Sequence, residues 1–126
     1  MPKNLSRVFF SDNGSTAVEI AMKVAIQYWY NKGKQKKKFV SMTGGYHGDT
    51  FGAMSVGFSS GFYEPFKDFL MKSIHIPYPD YWEGKNDIEK EELISLDRAD
   101  EILSKNKNDI AAVIFEPLIP VSYTHL

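Results

Sequence analysis

Three stretches of this 126-residue chain hold residue types that could do chemistry. The first is Ser11-Asp12-Asn13-Gly14-Ser15-Thr16, between the apolar triplet Val8-Phe9-Phe10 and an amphipathic run. A turn that opens a helix leaves backbone N–H groups unpaired and partly positive, so it can hold a phosphate. The hydroxyls of Ser15 and Thr16 could add two donors. Asn13 or Ser15 can cap the helix, and Glu19 lies in its early turns, where a negative charge suits the helix dipole. An ordinary capped strand-to-helix turn has the same composition, and such turns are far commoner than phosphate sites. The second stretch is Thr43-Gly44-Gly45-Tyr46-His47-Gly48-Asp49-Thr50. Its glycines permit close backbone approach. Tyr46 offers a flat ring that could stack on a ligand or pack at a loop tip. His47 and Asp49 could relay a proton or hold a substrate; a capping or hydrogen-bonded loop histidine is the plainer reading. The third is Glu116, which ends an apolar run and precedes Pro117. A carboxylate there is either functional or a structural hydrogen-bond anchor.

The surrounding periodicities say what must position these residues. Residues 8–10 are β-branched or aromatic and read as a strand end. Residues 15–30 read as a helix: Val18, Ala21, Met22, Ala25 and Tyr28 form an apolar stripe, widened by Ala17, Val24 and Trp29, and Asn31 and Gly33 stop it. Residues 39–42, 73–76 and 110–115 read as further strands, the last an apolar run suited to a central parallel strand. Residues 87–104 carry Leu93, Leu96 and Leu103 at the spacing of a surface helix. The segment 51–57 is small and apolar, 58–70 is a hydrophobic loop with a short helix, and 77–84 is a loop. Strand, helix, strand at this spacing is a βαβ unit with a parallel sheet. The expected class is therefore α/β, three layers around a mostly parallel sheet. Ligands bind such sheets beyond the C-terminal strand ends, where all three stretches fall.

Composition narrows the classes. A net charge of -1 argues against a nucleic-acid partner. Without cysteine there is no disulfide framework, thiol nucleophile or cysteine-ligated zinc. His47 and Asp49 are too few for a metal, and His75 and His125 lack ligand spacing. No run is apolar and long enough to span a bilayer, and the first residues do not resemble a signal peptide. A cytoplasmic protein is expected. Lys32, Lys34, Lys36, Lys37 and Lys38 form a basic run that reads as a solvated loop. The Walker pattern is absent, and no Gly-x-Gly-x-x-Gly follows a strand, which weakens a non-catalytic phosphate- or nucleotide-binding module.

Together, Phe10-Ser11-Asp12-Asn13-Gly14-Ser15-Thr16-Ala17-Val18-Glu19-Ile20-Ala21-Met22-Lys23, Gln27-Tyr28-Trp29, the block from Gly45-Tyr46-His47-Gly48-Asp49-Thr50 through Gly57, and Ile114-Phe115-Glu116-Pro117 resemble a class III aminotransferase, of the pyridoxal-phosphate fold type I superfamily. The resemblance covers nearly all of residues 3–119. The Tyr-His-Gly-Asp-Thr block is similar to that of the members that aminate 8-amino-7-oxononanoate in biotin biosynthesis, with S-adenosylmethionine or lysine as amino donor. Another class III ω-aminotransferase is the alternative. The resemblance implies pyridoxal 5'-phosphate as cofactor, Gly14 and Ser15 at its phosphate, and Tyr46 on its ring and against the substrate. Asn13, Thr16, His47, Asp49 and Glu116 take supporting places, Glu116 beside the cofactor. It also implies small-molecule substrates, a homodimer at full length, and no nucleic acid or membrane.

The departures shape the expectation. The family's cofactor-bonding lysine and ring-nitrogen aspartate match no position here, so none of these residues is assigned a catalytic role. Residues 1–119 read as part of the cofactor-binding large domain. Residues 120–126, Pro-Val-Ser-Tyr-Thr-His-Leu, do not follow the family and are expected to be non-native. Such a piece is expected to fold poorly by itself and to be inactive alone.

Overall fold

The structure, a computed structural model, describes residues 4–57, 61–78 and 87–116. The first long helix, α1, spans Gly14–Asn31. It begins at a reciprocal capping box. Asn13 Oδ1 accepts the Thr16 N–H at 3.0 Å, and Thr16 Oγ1 accepts the Asn13 N–H at 3.2 Å. Asn13, not Ser15, is therefore the cap. Met22 is buried on the inner face, with Val18, Ala25 and Ile26 packed around it and Trp29 half-buried further along. Tyr28 and Val24, counted in the stripe from sequence, point outward at 54% and 61% exposure.

Three strands follow. β1 is Lys38–Met42, β2 is Ile74–Ile76 and β3 is Ile110–Val113. They form one parallel sheet in the order β2-β1-β3. Val40 pairs with Ile74 on one side and Val113 on the other, with an irregularity between Lys38 and Phe39. The described backbone of residues 110–115 is strand only to Val113, although the Ile114 N–H still bonds to the Val40 carbonyl at 2.8 Å. Likewise Ser73 lies just outside β2, a boundary difference of one residue.

Between β1 and β2 lie the short helix α2, Phe51–Val56, and a 3-10 helix, Glu64–Phe69. α2 is buried from Gly52 to Val56, as its small side chains allow. The helix α3, Ile88–Asn106, is capped by Asp87, whose Oδ1 accepts the Lys90 N–H. Side chains alternate across a strand. Phe39 packs with Met22 and Val56 of α1 and α2. Met42 and Ile76 line the opposite side with Ser95, Leu96 and Ala99 of α3. The result is helix, sheet, helix, the expected three layers.

One expected strand does not form. Among the described residues, 8–10 have no strand pairing, and Val8, Phe9 and Phe10 are 59%, 75% and 88% exposed. β-Branched and aromatic composition favours a pleated, packed surface, but a strand forms only where a neighbour takes up its N–H and C=O groups. The βαβ unit read across α1 therefore lacks its first strand. Residues 58–60, most of the 77–84 loop, Pro117 and the 120–126 tail lie outside the described residues.

Candidate functional site

Thr43 to Thr50 leave β1 at its C-terminal end and fold back onto the start of α1. The contact is possible because of Gly48, which has a φ of 123°. A Cβ there would sit 2.8 Å from Ser15 Cβ and 2.9 Å from its Cα. With only hydrogen at that place, the two backbones meet, and the Asp49 N–H donates to Ser15 Oγ at 3.2 Å. A hydroxyl that accepts one bond keeps its own proton to donate elsewhere.

Tyr46 is tied at both ends. Its backbone N–H donates to Glu116 Oε2 at 3.2 Å, and its hydroxyl donates to Asp49 Oδ2 at 2.8 Å. Glu116 follows β3, so the carboxylate anchors a loop of the neighbouring strand. His47 is half-buried and its Nε2 is buried without a hydrogen-bond partner among the described residues. Burial holds its pKa below the usual histidine value, and the Glu116 carboxylate pulls it part of the way back. Beneath the loop, His75 of β2 bridges two hydroxyls, Ser41 Oγ at 2.9 Å and Ser73 Oγ at 3.3 Å, and Ser73 also donates to the Ser55 carbonyl.

The structure thus brings Asn13, Gly14, Ser15 and Thr16 together with Tyr46, His47, Asp49 and Glu116. Two further residues take parts that the sequence reading did not give them. Glu19, read there as a partner of the helix dipole, lies beyond the first turn of α1 and accepts the Gly52 N–H at 2.7 Å. His75 was noted only as lacking metal spacing, although Ser41 and Ser73 flank it in register and two positions away.

The chain matches the family model Aminotransferase class-III over residues 1–121. It belongs to the class III aminotransferases. Among curated relatives, the adenosylmethionine-8-amino-7-oxononanoate aminotransferase of Synechococcus elongatus is 47% identical over 119 residues, covering 94% of this chain and 28% of the relative. The crystal structure of the enzyme of that name from Methanocaldococcus jannaschii is 38% identical with a TM-score of 0.74, covering 90% of this chain and 24% of that one. An amine transaminase from an uncultivated Pseudomonas species, solved in its pyridoxal-phosphate-bound form, is 29% identical with a TM-score of 0.76, covering 86% and 26%. The chain therefore spans about a quarter of the length of these class III aminotransferases. Their parallel-sheet α/β architecture is that of this chain.

The residues present fit the cofactor of this aminotransferase family. Among the described residues, a Cβ built on Gly14 meets nothing within 4 Å, so a ligand can approach the backbone at that point. The capping box occupies the N–H groups of Asn13 and Thr16, and the Ala17 N–H goes to the Asn13 carbonyl. The backbone N–H groups of Gly14 and Ser15 and the Ser15 hydroxyl are the remaining donors of this turn. A phosphate dianion suits such a cluster.

Proposed function

We propose that this chain is part of the cofactor-binding large domain of a pyridoxal-phosphate transaminase that aminates 8-amino-7-oxononanoate to 7,8-diaminononanoate in biotin biosynthesis, with S-adenosylmethionine as amino donor. The observation that carries the reading is the junction of Ser15, Gly48 and Asp49, which sets the α1 N-terminus beside the Tyr46 loop. The names of the relatives support the substrate.

In this reading Gly14 and Ser15 hold the phosphate. Tyr46 presents its ring face to the cofactor and the substrate, braced by Asp49 through its hydroxyl and by Glu116 through its backbone. Burial holds the pKa of His47 down, which disfavours a positive charge beside the loop. The cofactor supplies an electron-withdrawing ring that stabilises charge at the amino-bearing carbon. The residues here orient that ring and shield one side of it.

Transamination also needs an amine nucleophile at the reacting carbon. Every described lysine except Lys36 is exposed, and Lys36 Nζ donates to the Lys107 carbonyl over the Trp29 ring. This supports the expectation that the 126 residues alone turn over nothing. The longer enzyme is read as a cytoplasmic homodimer.

The test is complementation: the complete gene should rescue a biotin auxotroph lacking this step, and failure refutes the assignment. A donor panel on the purified enzyme, S-adenosylmethionine against lysine and simple ω-amines, fixes the donor. Preference for ornithine or 4-aminobutyrate would assign it to another ω-aminotransferase.

A further inference from the structure

α1 and the loop after β1 are joined a second time, away from the phosphate turn. Glu19 Oε1 accepts the Gly52 N–H at 2.7 Å, across 33 positions of sequence. Gly52 is buried and has no room for a side chain. A Cβ there would lie 2.5 Å from Glu19 Cδ and 2.6 Å from Oε1. Thr50, the residue that opens α2, makes no side-chain cap bond, and its Oγ1 is buried without a partner among the described residues. The acceptor for the second residue of α2 thus comes from another helix, and it is charged. Such bonds are shorter and about twice as strong as neutral ones.

Ser15 and Glu19 stand one turn apart on α1. They hold Asp49 and Gly52, three residues apart, by their backbone N–H groups. One tie leaves a loop free to swing; two ties fix its distance and its tilt. Tyr46 lies just before the doubly tied segment and is fastened to it through Asp49.

We propose that Glu19 is a positioning residue: its carboxylate locks α2 onto α1 and so holds Tyr46 at a set height over the phosphate turn. This rests on the reading of that turn and Tyr46 as two walls of the cofactor site.

The test uses the complete enzyme with Glu19→Ala, Glu19→Gln, Gly52→Ala and the Glu19→Ala/Gly52→Ala double variant. Pyridoxal-phosphate affinity, visible circular dichroism of the bound cofactor and amide exchange in residues 46–56 are read together. Glu19→Ala should weaken cofactor binding roughly tenfold, as loss of a charge-assisted bond implies. It should also reduce the dichroic band and speed exchange in 46–56. Glu19→Gln, which keeps an oxygen at the same reach, should recover most of the affinity. Gly52→Ala should be harmful beside Glu19 and much less so beside alanine, because the clash is with the carboxylate. Wild-type affinity and dichroism in Glu19→Ala would overturn the proposal, as would strictly additive effects of the pair. If Glu19→Ala does not fold, Glu19→Ser, whose side chain is likewise too short to reach Gly52, takes its place in the cycle, and wild-type affinity and dichroism in it, or strict additivity with Gly52→Ala, would overturn the proposal equally. An unmodified enzyme that takes up no pyridoxal phosphate refutes the functional reading instead, while exchange and the double variant still test the Glu19–Gly52 tie.

Discussion

Glu116 Oε2 receives the backbone N–H of Tyr46 at 3.2 Å, across 70 positions of sequence. The bond ties the end of β3 to the loop after β1, its neighbour in the sheet. It holds the backbone of Tyr46 and not its ring, so the hydroxyl can reach Asp49. Glu116→Ala should leave that N–H without its acceptor. In the complete enzyme we expect faster amide exchange at Tyr46 and cofactor affinity lower by about tenfold. Glu116→Gln, which retains an acceptor oxygen, should lose less. Equal losses in the two variants would mean that the charge matters and the acceptor does not.

The two histidines make acid sensitivity predictable in sign. Burial lowers the pKa of His47 and of His75 from the ordinary 6.5; Glu116 raises His47 in part, and His47 lowers His75 further. Below that pH the unfolded chain takes up protons that the folded chain refuses. Stability is therefore full above about pH 6.5, falls as the pH drops toward the folded pKa values, and levels below them. Denaturation midpoints measured across this window should decline on acidification. His47→Asn should make the decline shallower. Glu116→Gln, by removing the charge that supports protonated His47, should extend it to lower pH.

Gly48 and Gly52 both face α1, yet their substitutions should differ. At Gly48 a methyl group meets the Cα of Ser15, which cannot rotate away, and the φ of 123° is one that side chains rarely adopt. Gly48→Ala should cost roughly 1–3 kcal/mol from backbone strain alone. It should also separate the phosphate turn from the Tyr46 loop. Ser15→Ala in the same protein should not restore it. A rescued double variant in cofactor titration would show that the clash is confined to the hydroxyl.

The Asn13–Thr16 box sets where α1 begins. Asn13→Ala should cost about 1 kcal/mol of stability, typical of a lost N-cap. Thr16→Ala should lose the reciprocal bond to the Asn13 N–H and affect phosphate affinity as well as stability. Chemical denaturation and cofactor titration of both variants separate the two effects.

What was legible in the sequence is what local periodicity encodes. The 3.6-residue spacing of Val18, Met22 and Ala25 and the asparagine before Gly14 placed α1 within a residue at each end. Asp87 and the leucines after it placed α3. The loop at Tyr46 and the carboxylate at Glu116 were found because strand ends on one edge of a parallel sheet converge. What stayed hidden depends on distant partners. The expected strand at 8–10 had the right residues but no neighbour to pair with among the described residues. Glu19 was read for the helix it sits on, because no spacing rule links it to a glycine 33 residues away. α2 looked like packing material, since six residues give too short a window for a helical period.

Asn13 and Gly14 also have a slower chemistry. In a loose chain, a glycine nitrogen can close onto the carbonyl of a preceding asparagine side chain and expel ammonia, and water then opens the cyclic imide to aspartate or its isomer. Here Asn13 Oδ1 is fastened to the Thr16 N–H and Gly14 is already wound into α1. Ring closure would require that first turn to come undone. The capping box is thus a preservative as well as a helix start. A preparation that ages by Asn13→Asp would gain a negative charge at the mouth of the very turn proposed to receive a phosphate, and it would fade in cofactor uptake before it lost its fold.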